Sequence, residues 1–319
     1  MSKSKSILKV LLPLLLGVVL VWYSLSQISI SKLVQYVKDA DYFWIILGVG
    51  FGILSHASRA YRWLFMAEPL GYKPKFANSF MAVYSAYLIN LTIPRAGEVA
   101  RASILTNYEN LPFDKGFGTI VAERVADTLM LLIIIVIALF LEFEFIYDFF
   151  TGKFNPVTIV SIIIILLIIG GGLYYYISQS TSKFAVKVKS FCTGLIEGVL
   201  SIFKMKRKWA FIFHTIFIWV MYVLMFYITT LALPELNHIS MAAVLIGFIL
   251  ASFSIAATNG GIGSFPEAIV IAFLLFNMPE DPSRAFGWIM WSTQTLVIIV
   301  FGGLSLIYLP IYNRKKTSV

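Results

Sequence analysis

Asn90-Leu91-Thr92-Ile93-Pro94-Arg95-Ala96-Gly97-Glu98-Val99-Ala100-Arg101, followed after a polar loop by Val121-Ala122-Glu123-Arg124-Val125-Ala126-Asp127, is the stretch on which the reading of this chain turns. Arg95, Glu98, Arg101, Glu123, Arg124 and Asp127 all lie beside or inside long apolar runs. A charge at membrane depth costs several kcal/mol unless it is paired or faces water. So many of them together imply a functional site or an ion-pair network.

Working outward, composition sets the class. Of 319 residues, 59% are hydrophobic and 13% charged, against about 25% charged in a soluble domain; mean hydropathy is +0.87. This is an integral membrane protein. The formal charge of +9 fits basic cytoplasmic loops rather than nucleic-acid binding. One cysteine, Cys192, excludes an intramolecular disulfide, and the scattered His56, His214 and His238 argue against a histidine metal centre. No cofactor is expected. No polar stretch is long enough for a soluble domain, so residues 1–319 read as a single transmembrane domain.

The apolar pattern predicts an all-α polytopic fold. Full spans are expected at 7–25, 42–63, 116–141, 156–177, 209–231 and 285–308. The first is too long for a signal-peptide core and lacks a cleavage site after it. Residues 76–93 and 97–107 read as one helical hairpin broken near Pro94, and 241–257 and 268–276 as another, broken at Thr258-Asn259-Gly260-Gly261-Ile262-Gly263-Ser264-Phe265-Pro266-Glu267. Residues 183–208 are basic and amphipathic, suited to the membrane surface. With both hairpins re-entrant and the N-terminus inside, cytoplasmic segments hold 18 Lys and Arg and external ones 4, which predicts N-in and C-in. The halves, about 42–141 and 209–310, are then the same plan inverted, with an interrupted segment in each, the pattern of a transporter binding site.

The residue chemistry fits a lipid headgroup. Backbone at a hairpin break must be buried in protein or line a watery cavity, and Asn259, Gly260, Gly261 and Gly263 allow N–H groups to cradle an anion. Arg95 and Arg101 carry forked donors suited to phosphate. Glu98 is spaced to pair with Arg101, and Glu123, Arg124 and Asp127 could neutralise the hairpin arginines across a helix interface. An ion-pair network that only fixes geometry is the rival reading. His56, Arg59 and Arg62 share one helix face; Arg59 and Arg62 either snorkel as positive-inside anchors or bind a headgroup. Glu267 has no basic neighbour in sequence and is expected to carry a proton or meet an ammonium group, unless Arg284 partners it. Asn90-Leu91-Thr92 matches a glycosylation sequon, a chance match at membrane depth.

The Pro94-Arg95-x-Gly97-Glu98-x-x-Arg101 turn, the Glu123-Arg124-x-x-Asp127 helix start and the Asn259-Gly260-Gly261-Ile262-Gly263-x-x-Pro266-Glu267 hairpin resemble the transmembrane region of lysylphosphatidylglycerol synthases, the flippase-like UPF0104-type family of membrane proteins. The resemblance covers nearly the whole chain. It implies a multi-pass protein of the plasma membrane that moves an anionic, aminoacylated or polyprenyl-phosphate lipid between leaflets. Bifunctional members carry a C-terminal aminoacyl transferase; this sequence ends at Val319, so synthase activity is not expected. The expected partner is a membrane phospholipid or polyprenyl-linked lipid, with a homo-oligomer or a lipid-synthesis enzyme left open. An intramembrane lipid-modifying enzyme and an accessory protein for envelope lipid synthesis are the alternatives.

Overall fold

The computed structural model describes residues 15, 17–93, 95–143, 156–182, 185, 186, 188, 189 and 205–314. Pro94, Cys192, the basic start, most of the acidic loop at 142–155 and most of the basic segment at 183–208 lie outside them. Among the described residues the chain is helical, with no strand. The helices are α1 (Gly17–Ser26), α2 (Ile30–Asp39), α3 (Tyr42–Ala67), α4 (Phe76–Thr92), α5 (Ala96–Glu109), α6 (Phe113–Leu141), α7 (Pro156–Gln179), α8 (Lys208–Thr230), α9 (Met241–Ala257), α10 (Ser264–Leu274) and α11 (Glu280–Tyr312).

Among the described residues four helices, α3 with the short turn after it, α6, α8 and α11, are long and apolar enough to cross a membrane; α1 and α2 together make a fifth if counted as one bent span. Residues 156–177, expected to span, are helical within α7. The sequence reading missed α2. Its axis turns 83° from α1, and Ser29 starts it by accepting from the Lys32 N–H, a side-chain N-cap. It is amphipathic, with Ile30, Val34 and Val37 exposed along it, which is why it does not register as a hydrophobic run.

Packing is tightest where side chains are smallest. Along α3, a Cβ at Gly48 would lie 2.4 Å from Thr229 Oγ1 and one at Gly52 2.8 Å from Met225 Sδ. Small residues at these points bring the α3 and α8 backbones together, as in membrane helix pairs. The main apolar core joins α3, α8, α9, α10 and α11 through residues such as Ile218, Phe226, Phe273 and Phe286. A smaller core of Trp63, Met66, Leu105, Leu111 and Phe211 lies where α3, α5, α6 and α8 meet.

Both breaks expected from the sequence are present. The first falls between α4 and α5, where Arg95 adopts φ 61°. Gly97 follows it, and its N–H donates to Asn90 Oδ1 at 2.7 Å. A Cβ there would sit 2.2 Å from the Ala86 carbonyl oxygen, so only glycine lets the two arms lie this close. The second break runs through Gly260, Gly261 and Gly263, all at positive φ, where glycine alone is unstrained. Its two arms are joined by a Thr258–Ser264 hydroxyl contact of 2.9 Å, and the α1 backbone at Leu20 and Val21 lies across Gly263. The breaks touch: a Cβ at Gly260 would be 2.8 Å from Leu91 Cδ2. Finally, α11 packs on α4, with Phe301 stacked on Tyr84 at 5.1 Å, while α6 packs on α9.

Candidate functional site

The charges singled out in the sequence converge around α6. Glu123 and Asp127 are one turn apart, so both carboxylates leave the same face of that helix. Arg59 and Arg62, also on one face, approach from α3. Arg59 Nη1 lies 2.6 Å from Glu123 Oε1 and 2.6 Å from Asp127 Oδ2. Arg62 Nη2 lies 3.0 Å from Asp127 Oδ1 and 3.3 Å from Glu123 Oε1, and its Nη1 donates to Thr215 Oγ1 on α8 at 2.9 Å. From α5, Arg101 Nη1 reaches Glu123 Oε2 at 3.0 Å. Arg124 stands at the edge, 3.9 Å from Asp127 and 4.0 Å from Glu123, with its side chain 46% exposed.

Aromatic rings complete the shell. The Arg62 guanidinium lies 5.3 Å from the Phe211 ring centroid and that of Arg101 5.4 Å from Trp63. Trp63 is itself held by an indole N–H bond to Thr119 Oγ1 at 2.9 Å. Nearby on α3, His56 sits among Tyr84, Tyr87 and Tyr222, the Tyr87 ring centroid 4.9 Å away. Sequence reading did not find Thr215, Phe211, Trp63, Thr119 or these tyrosines as part of the site. They are ordinary apolar-helix residues until α3, α6 and α8 are brought together.

The cluster is not balanced. Four guanidinium groups (Arg59, Arg62, Arg101, Arg124) face two carboxylates (Glu123, Asp127), an excess of two positive charges. Among the described residues, Arg59 Nε, Arg62 Nε, Arg101 Nε and Arg101 Nη2 are buried without a hydrogen-bond partner. Glu98 Oε2 is likewise buried and unpartnered; it lines, with Asn90, Tyr87, Arg101 and Arg124, a cavity of about 10 Å³, room for about one water molecule. Counting Glu98, the excess falls to one.

One expectation is corrected, and two alternatives left open by the sequence are decided. Glu98 does not pair with Arg101, whose carboxylate partner is Glu123. Arg59 and Arg62 do not snorkel: they are 4% and 0% exposed and turned into the protein, because two carboxylates await them on α6. Of the two readings of Glu267, the pairing with Arg284 is the one present. Arg284, in the first turns of α11, donates from Nε to Glu267 Oε1 at 3.0 Å and from Nη2 to Oε2 at 3.3 Å, and also reaches Glu280 at 2.9 Å. Arg95, by contrast, is exposed at the first break, outside the cluster. Asn259 is buried at the second break with its amide Nδ2 unpartnered, beside Gly260, Gly261 and Gly263. Among the described residues no group of three or more His, Cys, Asp or Glu could hold a metal ion.

The family described as lysylphosphatidylglycerol synthase TM region matches residues 10–303. Two relatives bracket the likeness. UPF0104 membrane protein MJ1595 of Methanocaldococcus jannaschii is 26% identical over 280 residues, 82% of this chain and 83% of that protein. Glycosyltransferase AglD of Haloferax volcanii is 29% identical over 117 residues, 36% of this chain but 19% of that protein. The chain belongs to the lysylphosphatidylglycerol synthase transmembrane-region family.

Proposed function

We propose that this member of the lysylphosphatidylglycerol synthase transmembrane-region family moves a phosphate-bearing lipid between the leaflets of the plasma membrane, with the headgroup handled at the α3–α5–α6 arginine cluster. The observation that carries the reading is the set of guanidinium nitrogens without acceptors among the described residues, Arg101 Nε and Nη2 foremost, beside the half-exposed and weakly paired Arg124. Uncompensated charge at membrane depth is costly. A phosphate would supply both the missing charge and the missing acceptors, in the planar two-point geometry that arginine favours. The cavity at Arg101 and Arg124 holds about one water, so loading requires the half-exposed Arg124 to swing aside.

The order of elements supports a transporter. Each half runs helix, broken hairpin, helix: α3, α4–α5, α6, then α8, α9–α10, α11. Each closing helix packs on the other half's hairpin, α6 on α9 and α11 on α4. Each second arm is tied to the following helix by an Arg–Glu pair of opposite polarity, Arg101–Glu123 and Glu267–Arg284. We read this order as an inverted repeat with re-entrant hairpins, six full spans and both termini in the cytoplasm, the plan in which interrupted segments stand beside a transport site. In this reading the protein changes the position of the lipid and not its bonds.

The test is reconstitution in liposomes containing phosphatidylglycerol with a fluorescent headgroup-proximal label, read by quenching from outside. The quenchable fraction should rise from the outer-leaflet share toward the whole. Protein that leaves several anionic lipids at the protein-free level would overturn the reading. A second reading, a membrane module serving transfer of a lipid-linked sugar, is favoured by the partial match to a protein named as a glycosyltransferase. It predicts altered lipid chemistry in the same vesicles when a glycosyl donor is supplied.

A further inference from the structure

Beside the cluster, on the opposite side of α6 from the small polar cavity, an apolar groove of about 670 Å³ runs between α6 and α8. Its volume lies within the ~300–1,000 Å³ of small-molecule sites. Ala126, Met130, Ile133 and Ile137 form one wall, and Thr215, Trp219, Val220 and Val223 the other. Ile133, Ile137 and Val220 at its mouth are 45–49% exposed, so it opens sideways from the bundle. One end abuts the arginines: Thr215 accepts from Arg62, Phe211 lies under that guanidinium, and Ala126 adjoins Asp127. That end is within the first turns of α8, directly after Lys206, Arg207 and Lys208. From Ala126 to Ile137 the groove rises about 16 Å at 1.5 Å per residue, half of the ~30 Å hydrocarbon thickness.

We infer that this groove seats one hydrocarbon chain of the transported lipid, taken from the leaflet at the Lys206–Lys208 end of the bundle. The inference rests on the headgroup reading above and adds the tail, the portal and the loading leaflet. Among the described residues the lining carries no charge, one hydroxyl, Thr215, which Arg62 already occupies, and one indole N–H, that of Trp219. The length is that of one leaflet's chain rather than of a whole span, and the polar end lies where a headgroup of that leaflet would be. A membrane-crossing protein helix would need about twice that length, and a headgroup would find along the groove a single free donor, the buried Trp219 indole N–H.

The experiment places the full-length protein in phosphatidylcholine nanodiscs with trace phosphatidylglycerol bearing a photoactivatable diazirine either near the glycerol or at the chain end. Mass mapping should put the near-glycerol label close to Ala126 and Thr215 and the chain-end label close to Ile137 and Leu224. Excess unlabelled phosphatidylglycerol should reduce both several-fold. Ile133→Trp and Ile216→Trp, each at a half-exposed mouth position, should block labelling while leaving thermal stability unchanged. Label spread evenly over the lipid-facing helices, or unmoved by both tryptophans, would overturn the inference. So would photo-leucine in the protein joining the groove to another segment or a second copy. An uncharged diacylglycerol probe of the same chains separates the two claims. If it labels the groove as strongly as phosphatidylglycerol, and Arg124→Gln changes neither, the tail seat stands and the headgroup reading fails. If phosphatidylglycerol binding depends on Arg124 but the label falls elsewhere, the headgroup reading stands and the tail seat fails.

Discussion

Glu267 on α10 and Arg284 on α11 form a two-point ion pair, 3.0 Å and 3.3 Å, in which the arginine is 2% exposed and the glutamate side chain 14%. The pair ties the second hairpin's inner arm to the last long helix. Removing one partner of a buried pair costs about 3–5 kcal/mol. Glu280 still reaches Arg284 at 2.9 Å, so Glu267→Gln should cost less, about 1–3 kcal/mol. A lower melting temperature in detergent is the expected result. Adding Arg284→Met to Glu267→Gln should recover part of the loss, since the double change leaves no orphan charge. A double variant as unstable as the sum of the two single variants would show that the pair is not coupled.

Asp127→Asn removes a carboxylate shared by Arg59 and Arg62, both buried. About 3–5 kcal/mol should be lost, seen as aggregation on size exclusion. Arg124→Gln should behave differently. Arg124 is half exposed and only at the edge of the cluster, so melting should move little. Flipping of labelled phosphatidylglycerol should fall by about tenfold, the weight of roughly one charge-assisted hydrogen bond. Unchanged flipping would assign the cluster to structure alone.

Gly97→Ala tests the first break. Its Cβ would meet the Ala86 carbonyl oxygen at 2.2 Å, and neither backbone can yield without opening the hairpin. Folded protein should be lost or strongly reduced. Asn90→Ala removes only the side-chain acceptor for the Gly97 N–H and should cost about 1 kcal/mol, as a lost cap does. A folded and stable Gly97→Ala protein would mean that the two arms do not approach this closely.

Orientation is checked by reporter fusions. Those after Lys75, Lys208 and Lys316 should read cytoplasmic, and those after Asp148 and Asp281 external, as the basic-residue bias requires. A cytoplasmic signal at Asp148 would break the inverted arrangement and with it the assignment of the loading leaflet.

Much of this architecture is readable from the chain. The span expected at 209–231 is α8, Lys208–Thr230, and the Gly-rich break lies where Gly260, Gly261 and Gly263 stand at positive φ. Such features are local: hydropathy and backbone freedom belong to a few consecutive residues. The site's existence was also legible, because Glu123 and Asp127 are conspicuous in an apolar helix. Its wiring was not. The three-residue spacing of Arg59 and Arg62 says that they share a face, and is silent on whether that face meets lipid or protein. Arg284 could be named only as an alternative partner of Glu267, because it lies 17 residues away on the next helix and no local spacing links the two. The helix α2 was missed because alternating polar and apolar residues average to a linker.

The contact of Leu91 with Gly260 has a kinematic consequence. The tip of one hairpin rests in the notch left by a missing side chain in the tip of the other. Two levers touching at their ends do not tilt independently: when one recedes, the other gains the vacated room, and when one advances, the other must yield. A single methyl group at position 260 would act as a wedge between them, locking the pair without touching any charged residue.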